Sequence, residues 1–473
     1  MAERKRIYLC LAHMSEEGIE QKYIKEAFDT NWVVPLGPNV NGFEEDLEAF
    51  VSPTSTLPSR EGDKRVVALS SGTAAIHLAL IGCGVGPGDE VIVQSFTFCA
   101  SSHPVTYLGA TPVFVDSERE TWNIDPELLE FAIKDRIAKT GKKPKAIIPV
   151  ALYGMPYRID EIMAIADRYE IPVIEDAAEG FGSRYNGQML GTFGRYGALS
   201  FNGNKMITTS GGGALICGPT SEQDGWGGAD TIMWYATQAR ESYPYYQHEK
   251  IGYNYRMSNI CAGIGRGQMT VANKHIEHHK HVQSLYEELL ADVPGITVHS
   301  QPKNCVNPNA NLNPNDDVDV NRKFDSNYWL CTITLAPELR IKGQENAYKS
   351  VIKSAVGGAA GVIHEAETAT TDCQPNDNVE ALRVYLDQAG IEARPVWKPM
   401  HCQPVYRQGV VKIENIRTKD EDIVCQTSDS SVAYINGISE DIFKIGMCLP
   451  AGPYVSDDDV RYIVEKIREA IVV

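Results

Sequence analysis

One lysine, Lys205, stands in an unusual setting for its type. It follows Asn202-Gly203-Asn204 and precedes Met206-Ile207-Thr208-Thr209, between an apolar run at 197–201 and three glycines, Gly211, Gly212 and Gly213. Lysine ordinarily keeps its ammonium in water on a solvated face. In a tight, partly dry loop the charged form is disfavoured, and the neutral amine becomes available as the nucleophile that a Schiff base requires. The plain alternative is a surface lysine at a loop tip.

Four upstream features bear on that choice. Ser70-Ser71-Gly72-Thr73 lies between an apolar strand and the helical run Ala74-Ala75-Ile76-His77-Leu78, so free N–H groups and hydroxyls would gather at a helix start, where anions bind. A simple Ser or Thr cap, worth about 1 kcal/mol, would give the same string. Ile171-Pro172-Val173-Ile174-Glu175-Asp176 reads as a buried strand ending in two carboxylates. Successive side chains on a strand point to opposite faces, so only one can meet a given ligand, where it could pair with a protonated ring nitrogen. A capping aspartate is the alternative. Phe96, in Gln94-Ser95-Phe96-Thr97-Phe98, could cover a planar ring, although either phenylalanine alone suits a core. Ser200, five positions before Lys205, could reach the same anion as Gly72 and Thr73. Together these parts describe a site for pyridoxal 5′-phosphate. The helix start would hold phosphate, the aspartate would keep the ring nitrogen protonated, the aromatic would stack, and the lysine would carry the aldehyde and move a proton. That is the chemistry of transamination.

The elements that must position these residues follow an alternating pattern. Strands are expected at 66–69, 90–93, 112–115, 146–150, 172–175 and 196–201. Helices are expected at 74–83, 98–108, 126–139 and 159–169. Such alternation implies an α/β fold with a mostly parallel sheet covered on both faces and ligands at the strand ends. Helices are also expected at 16–29 and 43–50, ahead of and behind a Pro/Gly connector carrying Trp32. A long helix is expected at 252–287, a strand at 328–335, a helix at 379–389, a strand at 392–396 and a terminal amphipathic helix at 457–471. A boundary near residue 290 would separate a large domain with an N-terminal arm, 1–290, from a smaller α+β domain, 291–473. Segments near 301–325 and 336–378 are polar or rich in small residues and read as insertions.

Composition bounds the function. The chain has 473 residues, 43% hydrophobic and 22% charged, and a formal net charge of -18, which argues against a nucleic-acid partner but not against a small anion. The 11 cysteines include no C-x-x-C pair, so neither a disulfide framework nor a metal site is expected. The N-terminus lacks a signal-like apolar run, and no stretch approaches a membrane span. A cytoplasmic protein is the expectation.

These residues resemble the DegT/DnrJ/EryC1/StrS nucleotide-sugar aminotransferases, which have the aspartate-aminotransferase fold (type I). The matching pieces are Trp32 to Asn39, Ser70 to Leu80, Gly88-Asp89-Glu90-Val91-Ile92-Val93, Glu175-Asp176-Ala177-Ala178, Ser200 to Thr209, Gly252-Tyr253-Asn254-Tyr255-Arg256-Met257-Ser258, Arg394 to His401 and Gly446-Met447-Cys448-Leu449-Pro450. The resemblance implies that Lys205 is the Schiff-base lysine and Asp176 the ring-nitrogen partner. It implies phosphate contacts from Gly72, Thr73 and Ser200, stacking by Phe96, and Glu179 near the cofactor's 3′-oxygen. Asn254 would reach the phosphate of the partner subunit, making the site a property of a homodimer. Trp32, Arg256, Trp397, Lys398 and His401 fall on the substrate side. The Asn-Gly-Asn-Lys and Trp-Lys-Pro-Met-His forms look most like the branch, exemplified by bacillosamine and perosamine synthases, that aminates C4 of UDP- or GDP-linked 4-keto-6-deoxysugars. L-glutamate is the implied donor. A 3-keto sugar nucleotide or a keto-inositol is the near alternative, and a cofactor-binding regulator without turnover is the reading from another class. The family's dehydratases hold His at the lysine position, against which Lys205 counts.

Overall fold

Parallel strands with both faces covered read as unbroken apolar runs, and this chain builds its central wall from such runs. The computed structural model describes residues 5–51, 66–218, 227–303, 323–348, 373–407, 412–417 and 422–472. The wall contains β1 (Val66–Leu69), β2 (Glu90–Gln94), β3 (Thr111–Val115), β4 (Ala146–Ile148), β5 (Ile174–Asp176), β6 (Tyr196–Ser200) and β7 (Gly213–Cys217). Two sheet sections, β1-β7-β6-β5 and one in which β3-β2-β4 run parallel, are joined by parallel bridges Ile147↔Val173 and Val150↔Asp176. β7 alone in this stretch runs antiparallel, pairing with both β1 and β6.

The strand pleat sorts the core. Val91, Val93 and Phe114 face helix α3 (Gly72–Gly82) and its Ala75, Ile76, Leu78 and Ala79. Ile92, Val113 and Val115 face the opposite way, with Leu128, Leu129, Ile133 and Ile162 from the helices Pro126–Thr140 and Ile159–Tyr169. Two earlier helices, α1 (Ile19–Asp29) and α2 (Pro38–Val51), pack against Asn259–Met269. The expected helix at 98–108 is split into a 3-10 turn, Cys99–Ser101, and a short helix, His103–Tyr107.

The expected long helix at 252–287 is two helices preceded by extended chain. Tyr253 and Tyr255 donate their N–H groups to Tyr235 and Ala236. Ser258 then caps a helix by accepting from Cys261 N. Asn259–Met269 ends near Thr270, and Ala272–Leu290 follows. The apolar spacing at 252–258 suits either state; strand-like partners decide it.

A second core lies around the antiparallel sheet Ile296–Val298, Cys331–Leu335, Gly446–Leu449 and Arg394–Pro395, taken in spatial order. Val282, Tyr286 and Leu290 of the preceding helix pack there with Leu382 and Leu386 of Asp377–Gln388, and with Val460, Ile463 and Ile467 of Asp457–Ala470. The chain after residue 290 also returns to the large wall. Strands Lys412–Arg417 and Asp422–Thr427 form a hairpin, and Val432–Ile435 adds in parallel to β3. Of the segments singled out from sequence, 52–63, 304–322 and 349–372 lie outside the described residues. Among the described residues no helix is long and apolar enough to cross a membrane.

Candidate active site

Sheet register brings the singled-out residues to one end of the wall. Gly213 is opposite Leu69 on one side and Ser200 on the other. Asp176 is opposite Ala198, so it stands on the strand beside Ser200, about 4.8 Å away in the pairing direction and two residues along. The chain leaves β1 and enters α3 at this edge. Ser71 caps the helix, accepting from Ala74 N at 3.0 Å with its hydroxyl and from Ala75 N at 3.2 Å with its carbonyl. Gly72 and Thr73 precede these two donors in the first turn. A Cβ on Gly72 would meet the Ser200 Cβ at 3.0 Å, and one on Gly213 would strike the Gly72 amide and the Ser71 carbonyl. Two glycines thus let a helix start, a strand end and a hydroxyl converge, which is the cradle an anion needs.

The adjacent carboxylates are divided as the pleat requires. Glu175 accepts from the N–H groups of Gly191 (3.0 Å), Phe193 (2.6 Å) and Gly194 (2.7 Å), and so fixes a turn. Asp176 points the other way, accepting from the Ser101 hydroxyl at 2.5 Å and from Ala178 N at 3.2 Å. Ser101 is itself 2.7 Å from the Thr97 hydroxyl. Burial pushes the Asp176 carboxyl up, while Ser101, Ala178 N and the Lys205 charge oppose it. A buried carboxylate with only partial compensation suits a cationic partner.

Lys205 reaches the same place from the loop after β6. Its Nζ is 3.5 Å from Glu179 Oε1, and its side chain is 13% exposed. The ammonium also lies 4.2 Å from the centre of the Trp329 ring. That indole donates to Asn204 O at 2.7 Å, so one side chain both faces the amine and pins its loop. Glu179 is held by Tyr153 N at 2.7 Å; burial raises its carboxyl, and the Lys205 charge is the largest influence the other way. Tyr153 has a left-handed backbone (φ 54°), and its hydroxyl accepts from Trp397 N at 2.7 Å. Trp397 in turn packs against Tyr153 and Phe98.

Ser101, Tyr153 and Trp329 were not singled out from sequence. Ser101 sits in what reads as a helix, Tyr153 depends on a backbone angle, and Trp329 approaches from the far side of residue 290. None leaves a local signal.

Several expected site residues are placed differently. Phe96 is fully enclosed in the core beside Trp122, whereas Phe98 is half exposed on the turn that leads to Ser101. Phe98, not Phe96, is the aromatic presented at this end. Arg256 is committed to a buried pair, with one nitrogen 2.5 Å from Glu44 Oε1, the other 3.2 Å from Oε2, and a third contact at 2.9 Å to Ala68 O. It ties the helix Pro38–Val51 to β1. His401 is buried between the Ser95 hydroxyl (2.6 Å) and Glu440 (3.2 Å), and Lys398 donates to Cys373 O at 2.9 Å. Both are structural contacts in this arrangement. Asn254 is exposed and bridges Thr237. Trp32 is 40% exposed in a run with Val33, Val34 and Leu36.

The donor set fits pyridoxal phosphate on this chain's own geometry: a glycine-walled helix start for phosphate, a buried anchored aspartate for a ring cation, and one nearly enclosed amine.

The chain was compared with known proteins. The family model described as the DegT/DnrJ/EryC1/StrS aminotransferase family matches residues 14–313. EpsN of Bacillus subtilis, assigned as a pyridoxal phosphate-dependent aminotransferase, is 38% identical over 98% of this chain and 95% of its own length. A GDP-perosamine synthase of Escherichia coli O157:H7 is 30% identical over 98% of each chain. The crystal structure of a DegT DnrJ EryC1 StrS aminotransferase from Brucella abortus superposes with a TM-score of 0.70 at 25% identity, covering 96% of this chain and 95% of the other.

Proposed function

The chain belongs to the DegT/DnrJ/EryC1/StrS aminotransferase family, and from that membership we propose that it transfers the amino group of L-glutamate to C4 of a nucleotide-linked 4-keto-6-deoxysugar, UDP-4-keto-6-deoxy-N-acetylhexosamine, giving a 4-amino sugar nucleotide for glycan biosynthesis. It is a pyridoxal phosphate-dependent sugar aminotransferase of fold type I. The C4 assignment is supported by similarity to a GDP-perosamine synthase along nearly the whole length.

When bound, the cofactor supplies an electron sink next to a substrate carbon. The chain supplies the rest. Gly72, Thr73 and Ser200 hold the phosphate. Asp176, oriented by Ser101, keeps the ring nitrogen protonated. Phe98 would cover the ring. Lys205 would hold the cofactor, and its Nζ is placed to move a proton, with Glu179 3.5 Å away to receive or steady it. The observation that carries this reading is the meeting of Lys205, Glu179 and Trp329 around one amine. Asn254 and the exposed run at Trp32 belong to the contact with a second copy, which completes the site.

A visible spectrum of the purified protein tests the reading. L-glutamate should move the cofactor band to shorter wavelength, and the UDP-linked 4-keto sugar should return it. Lys205→Ala should give neither change. Return only with a GDP-linked, 3-keto or inositol acceptor would keep the aminotransferase and discard the sugar; no response to any amino donor would favour a regulator.

A further inference from the structure

Two buried cysteines far apart in sequence meet a glutamate beside the run Trp397–Cys402. Cys373 precedes the helix Asp377–Gln388, Cys402 ends the turn Met400–Cys402, and Glu440 lies in the first turn of the helix Ile438–Ile445. Their Sγ and carboxylate oxygen atoms all lie within 4.8 Å of one another, the one such His/Cys/Asp/Glu group among the described residues. Both thiols are buried, at 2% and 5% exposure.

We propose that Cys373, Cys402 and Glu440 bind a zinc(II) ion, with water in the fourth position. Two soft thiolates and one carboxylate are a ligand set that zinc accepts, and bonds of about 2.3 Å to sulfur and about 2.0 Å to oxygen put tetrahedral ligands under 4 Å apart. Atoms already within 4.8 Å need only a small contraction. The surroundings suit the ion. His401 places Nε2 3.2 Å from Glu440 and takes the Ser95 hydroxyl at Nδ1, 2.6 Å away, so the carboxylate is oriented from behind as metal-binding groups usually are. The Lys398 ammonium, donating to Cys373 O, adds the positive charge that balances two thiolates and a carboxylate around a dication. The absence of any C-x-x-C pair pointed away from metal; the fold assembles the ligands from three separate elements instead. The ion would clamp the chain at Cys373 onto the turn that follows Trp397.

The test uses untagged, full-length holoenzyme. After equilibration with zinc(II) and removal of free ion, mass spectrometry of metal content should find one zinc per chain. Cys373→Ser and Cys402→Ser should each lose it, and Glu440→Gln should weaken it at least tenfold, while Cys99→Ser keeps it. Cobalt(II) substituted into the wild-type protein should give tetrahedral d–d bands and a thiolate-to-cobalt charge-transfer band, a readout that does not depend on any variant folding. Zinc content indifferent to both serine changes, or cobalt without the charge-transfer band, overturns the site. So does a Cys373–Cys402 disulfide in the purified protein, seen as a mass lower by two hydrogens that reductant restores.

Discussion

Glu175 and Asp176 share a strand end and differ in what solvates them. Three backbone N–H groups serve Glu175, while Asp176 has one hydroxyl and one N–H. Burial dominates Asp176 and raises its carboxyl above the ordinary range near 3.9. A group raised on folding contributes stability below its unfolded value and loses that contribution as pH rises through the folded one. Cofactor-free protein therefore carries a penalty at neutral pH that Asp176→Asn removes. Urea midpoints of the two cofactor-free proteins should diverge in favour of the variant as pH rises above the ordinary carboxylate value near 3.9; parallel curves would mean that Asp176 ionises without cost. The cofactor-bound pair should show the reverse order, since the ring cation needs the carboxylate. Residues whose signal is local, Lys205 in its Asn/Gly loop and Asp176 at a strand end, were legible in the sequence and lie together in the fold. Arg256, Lys398 and His401 were not, because each is defined by a remote partner: Glu44, Cys373 O, and Ser95 with Glu440. Phe96 and Phe98 are alike in type and two positions apart; burial alone separates them.

The element that does most to shape the site is the start of α3, and its position depends on a neighbour strand. Gly213 lies directly between Leu69 and Ser200 in the sheet, under the Gly72 amide. A Cβ there would meet backbone rather than a flexible side chain, so Gly213→Ala must push α3 away from β6. Overpacking of this kind costs about 1–3 kcal/mol, and the displaced N–H groups should lose the phosphate. Cofactor titration should show at least tenfold weaker retention together with a lower melting temperature. Unchanged affinity would mean that α3 does not hold the phosphate. The sequence made α3 readable through Ser71-Gly72-Thr73 and its apolar run, but β7 was hidden among the glycines after Lys205. The extended chain at 253–255 was likewise masked by helical spacing, because only its pairing with Tyr235 and Ala236 reveals it.

At the scale of the whole molecule, the second core lies around the sheet that follows residue 290, but the path of the chain crosses back. The helix ending at Leu290 anchors the smaller sheet, yet Val432–Ile435 returns to pair with β3, and Trp329 crosses to Lys205. Long-range parallel pairing of this sort leaves no signal in a local window. Residues on both sides of 290 therefore meet at the Lys205 amine. Asn254 is exposed while its neighbours Tyr253 and Tyr255 stack on each other beside His77. If Asn254 serves the partner's phosphate, Lys205→Ala and Asn254→Ala damage the same site from different chains. Each variant alone should be inactive or severely impaired. Unfolding and refolding them together should produce mixed dimers in which one site carries both lesions and the other carries neither. With random pairing, half the dimers are mixed and each has one intact site, so activity should return to about a quarter of the wild-type value. Recovery at that level requires both a dimer and a site built across it. Absence of recovery, with the mixed dimer demonstrated by mass, would confine Asn254 to its own chain and leave each subunit to work alone.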